Sequence, residues 1–467
     1  MKLRCLLALL FTLFSVGVAA AQDEPVFGAV EAFWLPDDAC DMGLGWERII
    51  FDWGQHQPEG VDDWNPFNVR DEWLQAAAEC NREVVGVIKH TPAWATDGTP
   101  GIGVPRGLYL DVDDPENLWA SFMREAAEYY APRGVSRFII WNEPDIPAGT
   151  YGYEFEGSLE DYARLLQVAY LAAKEGNPEA EIILAGTTYW HDVNIGQRLY
   201  VDRLLEYLVQ QPDAAENGYF FDALALHVYF RTDTVYTIVH EYADVLERYG
   251  VPDKDIWIVE TNASPNLDPL WPVTRPQYQI TLDQQGAFLL QAAALGLAAG
   301  ADRIGVYKFF DWSLAPGAEA FGLIRADETH RPAFETWRTV IQQFAGVSAV
   351  RMAQTDLLQA VMLSREDDSG LLIAWARTES PVEISFFAAA ETTMLDQYGN
   401  IMPVPISGNQ QTMMLPGAIC NRRDGCAVGG SPLLIGFADE LSDIRIEQSN
   451  GRESLVFGEE ILLHGGE

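Results

Sequence analysis

"RFIIWNEPDIP" (residues 137–147) is the stretch that decides the fold, because an apolar run leads directly into an amide and a carboxylate. Residues 138–140 are aromatic and β-branched, the composition of a buried strand. Asn142 and Glu143 follow, and Pro144 removes a backbone donor, which ends strand pairing at that point. The segment therefore predicts a buried strand whose polar side chains emerge at its carboxyl end.

The same form recurs along residues 26–345, where short apolar runs alternate with stretches of helical spacing. Strands that are nearly continuous in apolar residues and separated by helices are typical of parallel βα units, and eight of them predict a closed (β/α)8 TIM barrel of the α/β class. The alternative is an open doubly wound sheet, which is less favoured because no glycine-rich phosphate fingerprint follows the first run. The eight runs are VFGAVEAFWL, WERIIFDW, EVVGVIKH, VSRFIIWNE, EIILAGTT, FDALALHVYF, DIWIVET and RIGVYKFFDW.

After Gly346 the pattern changes to short β-like pieces split by turn residues, which predicts a small antiparallel β-sandwich. We expect the barrel to span 22–346 and the C-terminal domain 347–467. The acidic tail from about 440 to 467 is either an edge strand or disordered. The pieces of the sandwich are LLQAVMLSR, GLLIAWAR, VEISFFAA, ETTMLDQYGN and SPLLIGF.

Composition restricts the partners and the location. The net charge of −39 over 467 residues argues against nucleic acid and anionic lipid as partners. Residues 1–21 have the positive start, apolar stretch and small-residue end of a secretory signal peptide. A retained N-terminal anchor is the alternative, but the apolar stretch is shorter than the ~20 residues that a membrane span needs. We expect a secreted or extracytoplasmic protein with no stable membrane insertion after cleavage.

Four cysteines remain once Cys5 leaves with the signal peptide. An even number in an exported chain permits disulfides. The segment CNRRDGC predicts a bridge between Cys420 and Cys426, which leaves Cys40 and Cys80 as the other pair. Nothing has zinc-ligand spacing, and we expect no metal and no cofactor.

A second glutamate at a strand end strengthens the functional interpretation of Glu143. In DIWIVETNAS (255–264), Glu260 ends the seventh predicted strand as Glu143 ends the fourth. The carboxyl ends of barrel strands meet at one mouth, so both side chains project into the same cleft. Two carboxyl groups facing each other are what glycosidic bond cleavage uses, retaining configuration at about 5–5.5 Å separation and inverting it at about 6.5–9.5 Å.

WNEP at strand four with Glu260 at strand seven resembles the retaining glycoside hydrolases of clan A. The similarity covers residues 26–345. The stretch FGLIRADETHRPAFETW, together with TPAW, is most similar to family 39-like and family 5-like members. HTPAW and NASPNLDP match only loosely. The resemblance implies a substrate that is an oligosaccharide or polysaccharide with β-linkages, and a trailing β domain is common in such enzymes. The other matching segments are IIFDW, KHTPAWA, LHVYF, FFDW and FGLIRADETHRPAFETW.

The resemblance implies a role for each matching residue. Glu143 is expected to be the general acid/base, Glu260 the nucleophile, and Asn142 a partner of the sugar 2-hydroxyl. The supporting set is Arg48 and Tyr229, which would keep Glu260 ionised and aimed; His90 and His227, which would line the subsite of the sugar being cleaved; and Trp312, which would be the stacking floor of that subsite.

Structural interpretations compete with these roles. Arg48 would also fit a core ion pair, His90 and His227 would fit histidines bonded to backbone, and aromatic side chains at the mouth would fit loop packing. The last group is Trp34, Trp53, Trp94, Trp271 and Trp312. The first four are expected on mouth-side loops, where they would equally fit sugar platforms, since aromatic faces match the C–H faces of pyranose rings. The competing functions are a catalytically inactive carbohydrate-binding or surface scaffold on the same barrel, and a transglycosylase. The sequence leaves the sugar, the linkage and the choice between exo and endo action open.

Overall fold

The structure is a computed structural model that describes residues 25–463, apart from residues 316, 389–390, 408–409, 440 and 449–450. The predicted signal peptide, residues 1–21, lies outside the described residues.

A parallel barrel forms the larger part of the described chain. Its strands pair in chain order and β8 returns to β1, so the sheet is closed. The predicted TIM barrel is confirmed and the open doubly wound sheet is wrong. The strands are β1 (Phe27–Val30), β2 (Trp46–Asp52), β3 (Glu83–Lys89), β4 (Arg137–Ile140), β5 (Glu181–Thr187), β6 (Ala223–Tyr229), β7 (Asp255–Asn262) and β8 (Arg303–Val306).

The first strand is shorter than predicted. The run VFGAVEAFWL gives a strand only to Val30, and residues 32–34 form a 3-10 turn. Glu31 between them has a left-handed backbone, with φ of 58°, which strand geometry excludes. The aromatic end of the run therefore lies on the rim of the barrel instead of in the sheet.

Helices surround the barrel, and several of the longer ones begin at side-chain caps. Ser158 and Asp161 form a reciprocal capping box at one N-terminus, and Thr281 and Gln284 form another. Among the helices of the described residues, none is long and apolar enough to cross a membrane. They are α1 (Pro36–Met42), α2 (Trp53–His56), α3 (Asp71–Glu79), α4 (Leu118–Tyr130), α5 (Leu159–Gly176), α6 (Trp190–Asn194), α7 (Tyr200–Leu208), α8 (Thr232–Arg248), α9 (Leu282–Ala298) and α10 (Pro332–Gln343).

The barrel interior is filled at its amino end and open at its carboxyl end. Trp46 is fully buried there, beside Trp257 at 6.4 Å between ring centroids. Glycines on β1 and β8 make the space, because a Cβ at Gly28 would lie 2.3 Å from the indole and one at Gly305 2.5 Å from it. Valine and isoleucine side chains complete the layer. This apolar layer separates the ion pairs of Glu83 with Arg137 and Arg303, where their strands begin, from the polar side chains at the carboxyl end.

Two antiparallel sheets follow the barrel, and the predicted β-sandwich is confirmed. One sheet has the order β14-β13-β17-β11-β10-β9-β20 and the other β15-β16-β12-β18-β19. Part of the acidic tail forms strands β18 to β20, so that part is not disordered. The strands are β9 (Ala349–Gln354), β10 (Leu358–Ser364), β11 (Gly370–Ala376), β12 (Val382–Phe387), β13 (Thr392–Leu395), β14 (Ile401–Met402), β15 (Ile406–Ser407), β16 (Gln410–Leu415), β17 (Leu433–Phe437), β18 (Ser442–Gln448), β19 (Gly451–Ser454) and β20 (Ile461–Leu462).

Both predicted cysteine pairs are disulfides, Cys40–Cys80 and Cys420–Cys426. The loop closed by the second bridge lies against the barrel. There the backbone N–H of Gln279 donates to Asp424 Oδ2 at 3.1 Å, and the N–H of Thr232 donates to the carbonyl of Ala427 at 2.9 Å. The C-terminal domain thus contacts the loops that follow β6 and β7.

Candidate active site

Glu143 reaches the mouth through an irregular turn after β4. The strand ends at Ile140, and Trp141 and Glu143 both have left-handed backbones, with φ of 75° and 43°. Such conformations cost about 1–3 kcal/mol each in residues other than glycine and cluster at functional sites. The indole N–H of Trp141 donates to the carbonyl of Glu154 at 2.8 Å, and the N–H of Glu143 donates to the carbonyl of Gly186 at 3.0 Å. These bonds fix the turn.

Glu260 lies inside β7 and reaches the barrel interior because of a β-bulge. The register with β6 shifts between Ile258 and Glu260, so Val259 is the extra residue. Trp257 and Val259 both belong to the interior layer, and strict alternation would turn the next side chain outward. The bulge restores the inward direction one residue later. Glu260 consequently faces the cleft with 7% of its surface exposed.

Cation and hydroxyl donors surround the Glu260 carboxylate. The Arg48 guanidinium from β2 donates to Oε1, and the Tyr229 hydroxyl from β6 donates to Oε2. Burial by itself would raise the pKa of Glu260, but the charges of Arg48 and His227 and these two bonds outweigh it and hold the pKa at about 2. The predicted grouping of Arg48 and Tyr229 around Glu260 matches this geometry, and the carboxylate is ionised at neutral pH.

His227 lies between the two carboxylates. Its Nδ1 is 2.7 Å from Glu143 Oε1 and 3.6 Å from Glu260 Oε2. Burial opposes the charged imidazolium, but the carboxylates of Glu260 and Glu143 outweigh it and raise the pKa of His227. On its other side the ring fills a space that exists because residue 186 is glycine, where a Cβ would lie 2.1 Å from Nε2. His227 is thus fixed by shape as well as by charge.

The carboxylates face each other at short range. Ligand atoms of Glu143, His227 and Glu260 all lie within 4.8 Å of one another. That spacing is also compatible with a divalent cation. However, the Arg48 guanidinium already bonds to Glu260, and its positive charge would oppose a cation there. That the site needs no metal stays a prediction.

Asn142 is held in a cluster that the sequence did not indicate. Its Nδ2 donates to Glu154 Oε2 at 3.2 Å, and the Lys89 ammonium bonds the same oxygen. Lys89 ends the third strand, so its position at the mouth could have been predicted from the sequence. Glu154 lies in an irregular loop, and its position could not have been predicted in this way. The cluster places an amide beside Glu143 in a fixed orientation.

His90 lies at the rim and does not contact the carboxylate pair. Its Nδ1 is 2.8 Å from Asp52 Oδ2, and its side chain is 36% exposed. Burial would raise the pKa of Asp52, but the bond to His90 and its charge lower it. The two residues follow β3 and end β2, so they form a polar dyad beside the cleft.

The predicted stacking residues have different surroundings. Trp312 is 52% exposed and stacks on Trp34, which is 38% exposed, at 5.1 Å between ring centroids. Trp94 packs edge-to-face on buried Trp53, and its indole N–H donates to the carbonyl of Gln57 at 2.6 Å. Trp94 therefore serves loop packing through these contacts, while Trp312 presents an open surface.

A buried carboxyl group follows Glu143 and was also missed. Asp145 Oδ2 accepts bonds from the backbone N–H and the hydroxyl of Thr188, both at 2.7 Å. Burial raises the pKa of Asp145 to about 6, and the nearby charge of Glu143 adds to the rise. Asp145 thereby ties the turn that carries Glu143 to the loop after β5.

Solved glycoside hydrolase structures from families 39, 30 and 51 share the barrel fold of this chain. The chain matches no family model and no curated protein at the level of sequence.

Three solved structures illustrate the likeness. A family 39 glycoside hydrolase from Bacteroides cellulosilyticus WH2 aligns with a TM-score of 0.66 at 15% identity, over 89% of this chain and 81% of that one. A GH30 endoxylanase from Clostridium papyrosolvens C71 aligns at 0.58 and 12%, over 89% and 97%. A monomeric β-xylosidase from Caulobacter crescentus CB15 aligns at 0.58 and 12%, over 91% and 96%. At such identities the likeness establishes the fold alone.

Proposed function

We propose that this protein is a secreted glycoside hydrolase that cleaves β-glycosidic bonds with retention of configuration. The observation that carries the proposal is the carboxylate pair, because oxygens of Glu143 and Glu260 lie within 4.8 Å of each other. A contact this close favours the roughly 5–5.5 Å separation of carboxyl groups in retaining enzymes over the roughly 6.5–9.5 Å of inverting ones. The two disulfides and the predicted signal peptide support export.

The unequal surroundings of the two carboxylates assign their roles. Glu260 is buried, ionised and aimed by Arg48 and Tyr229, which suits a nucleophile. The side chain of Glu143 is 20% exposed and bonds His227, so it can exchange protons with water and with a leaving group. A buried anion paired with a more accessible acid is the division of labour that glycoside cleavage requires.

The reaction follows in two displacements. Glu260 attacks the anomeric carbon, the bond to the leaving oxygen breaks, and Glu143 gives its proton to that oxygen. Glu143 then takes a proton from water, the resulting hydroxide attacks the anomeric carbon, and the bond to Glu260 breaks. Asn142 is positioned to bond the sugar 2-hydroxyl, where the interaction strengthens as positive charge develops at the anomeric carbon.

Covalent trapping tests the proposal. The mature protein is incubated with 2,4-dinitrophenyl 2-deoxy-2-fluoro glycosides of several sugars, and intact mass is read for wild type, Glu260→Ala and Glu216→Ala. Glu216 is an exposed carboxylate on the loop before β6, at the opposite end of the barrel, and serves as the matched control. We expect a one-sugar adduct on wild type and on the control and none on Glu260→Ala.

Glu143 is tested with the same sugars. Glu143→Ala should still form the adduct with these activated probes, because a good leaving group needs no proton, and should lose hydrolysis of unactivated oligosaccharides. Absence of an adduct in wild type together with measurable oligosaccharide binding would contradict the enzyme and favour the inactive scaffold.

A further inference from the structure

Two large aromatic side chains on one side of the barrel mouth are exposed to solvent. Trp34 and Trp312 stack on each other with 38% and 52% of their surfaces exposed. Behind them Phe33 stacks on Trp73 at 4.1 Å, so the exposed rings have a rigid support. Large exposed apolar patches are costly and mark binding surfaces.

The position of this surface relates it to the carboxylate pair. Trp34 follows β1 and Trp312 follows β8, and these strands are neighbours in the closed barrel. In a barrel of eight strands β8 lies opposite β4, which carries Glu143. Because Glu143 protonates the leaving oxygen, the leaving part of a substrate lies on the β4 side. The part that stays bound to the enzyme therefore extends toward β8 and β1.

A charged pair lies on the same two chain segments as the aromatic surface. Lys308 Nζ lies 3.2 Å from Glu31 Oε2, and their side chains are only 13% and 19% exposed. Glu31 immediately precedes the turn that ends at Trp34. The pair offers ammonium donors and a carboxylate acceptor at fixed positions beside an aromatic face. That combination is what a pyranose requires, since its hydroxyls form hydrogen bonds and its C–H face packs on rings.

Tyr307 relates the charged pair to the reaction centre. Tyr229, whose hydroxyl bonds Glu260, packs edge-to-face on Tyr307 with 6.1 Å between ring centroids. Tyr307 immediately precedes Lys308 in the chain. A sugar over Glu260 would thus have Tyr307 at its edge and the charged pair beyond it.

We propose that Trp34, Trp312, Glu31 and Lys308 form a second sugar subsite on the glycone side of the cleavage point. The inference rests on the proposed function and adds its substrate class, an oligosaccharide with at least two sugar units on the side that forms the intermediate. A single terminal sugar would leave this surface unused.

The test compares matched substrates of the sugar that labels Glu260. For xylose these are 4-nitrophenyl β-xyloside and β-xylobioside, and for glucose 4-nitrophenyl β-glucoside and β-cellobioside. Because the leaving group is identical, only the second glycone sugar differs. Wild type is expected to show kcat/KM at least about tenfold higher on the disaccharide, the scale expected when one ring face is buried.

Variants then locate the difference. Trp34→Ala should lose most of the disaccharide advantage while the monosaccharide rate stays within about twofold. Trp312→Ala should lower the disaccharide rate more than the monosaccharide rate, and Trp312→Phe should keep part of the advantage. Trp190→Ala is the matched control, since Trp190 is 40% exposed and follows β5 on the same rim. Melting temperatures confirm that each variant is folded.

The outcomes separate the two proposals. Equal rates on both substrates, or equal losses on both in the Trp34 and Trp312 variants, would overturn the subsite and leave the glycosidase intact. If wild type forms no covalent adduct and hydrolyses neither substrate, the proposed function itself fails and the subsite fails with it.

Discussion

Replacing Arg48 with methionine tests whether charge keeps Glu260 ionised. The pKa of about 2, against an ordinary 4.5, places about 3 kcal/mol behind the ionised form. Burial by itself would push this pKa upward, and Arg48 supplies the largest opposing charge. Methionine fills a similar volume without charge. We therefore expect the pKa of Glu260 to rise to its ordinary 4.5 or above in the variant.

The assay is the rate of covalent labelling by 2,4-dinitrophenyl 2-deoxy-2-fluoro glycosides from pH 3 to pH 8. The activated leaving group needs no proton, so the labelling rate does not depend on Glu143. The pH dependence of labelling therefore follows the ionisation of Glu260. Wild type should label at a nearly constant rate across this range. The variant should lose labelling below about pH 5, with roughly tenfold loss for each further unit of pH.

Arg48→Lys is the control, because it keeps the charge and loses only the fork geometry. Its profile should stay close to that of wild type. Melting curves at each pH show whether Arg48→Met remains folded, since removing one partner of a buried pair costs about 3–5 kcal/mol. A folded Arg48→Met protein with a flat profile down to pH 3 would refute the electrostatic reasoning.

Three further predictions follow from local geometry. Gly186→Ala places a Cβ 2.1 Å from His227 Nε2, so the ring must shift; kcat/KM should fall at least about a hundredfold, and the free energy of unfolding should fall by about 1–3 kcal/mol. Asp145 binds its proton more tightly in the folded state, where its pKa is about 6 against an ordinary 3.8. Its contribution to the free energy of unfolding is therefore fully present below about pH 4 and is lost as the pH rises through 6. Asp145→Asn should therefore gain stability relative to wild type between pH 4 and pH 8, by up to about 3 kcal/mol in urea unfolding. Gly28→Ala places a Cβ 2.3 Å from the Trp46 ring and should lower the free energy of unfolding by about 1–3 kcal/mol.

The barrel was predictable because its strands are buried on both faces. Parallel strands under helices read as nearly continuous apolar runs, and these runs mark all eight strands of the barrel. The length of β1 is the exception. The apolar run that contains β1 continues as aromatic residues after Glu31, although the strand has ended. Apolarity alone does not distinguish a buried strand from an exposed aromatic turn on the rim.

The approximate position of each carboxylate was predictable, but its orientation was not. Strand ends meet at one mouth, which brings Glu143 and Glu260 together in any such barrel. Val259 carries no sign of a bulge, because its side chain suits either register. The contacts of Glu154 with Lys89 and Asn142 were also hidden, since they join a long loop to strand ends and depend on its path in space.

Two backbone irregularities together create the chemical difference between the carboxylates. The bulge in β7 turns Glu260 inward, where Arg48 and Tyr229 bond to it and solvent is excluded. The left-handed turn after β4 instead leaves Glu143 partly exposed at the edge of the cleft, with His227 as its bonded partner. In regular strands both side chains would follow the alternation of the sheet, and Glu260 would point away from Arg48. The asymmetry needed for a nucleophile and an acid therefore resides in the backbone as much as in the two glutamates.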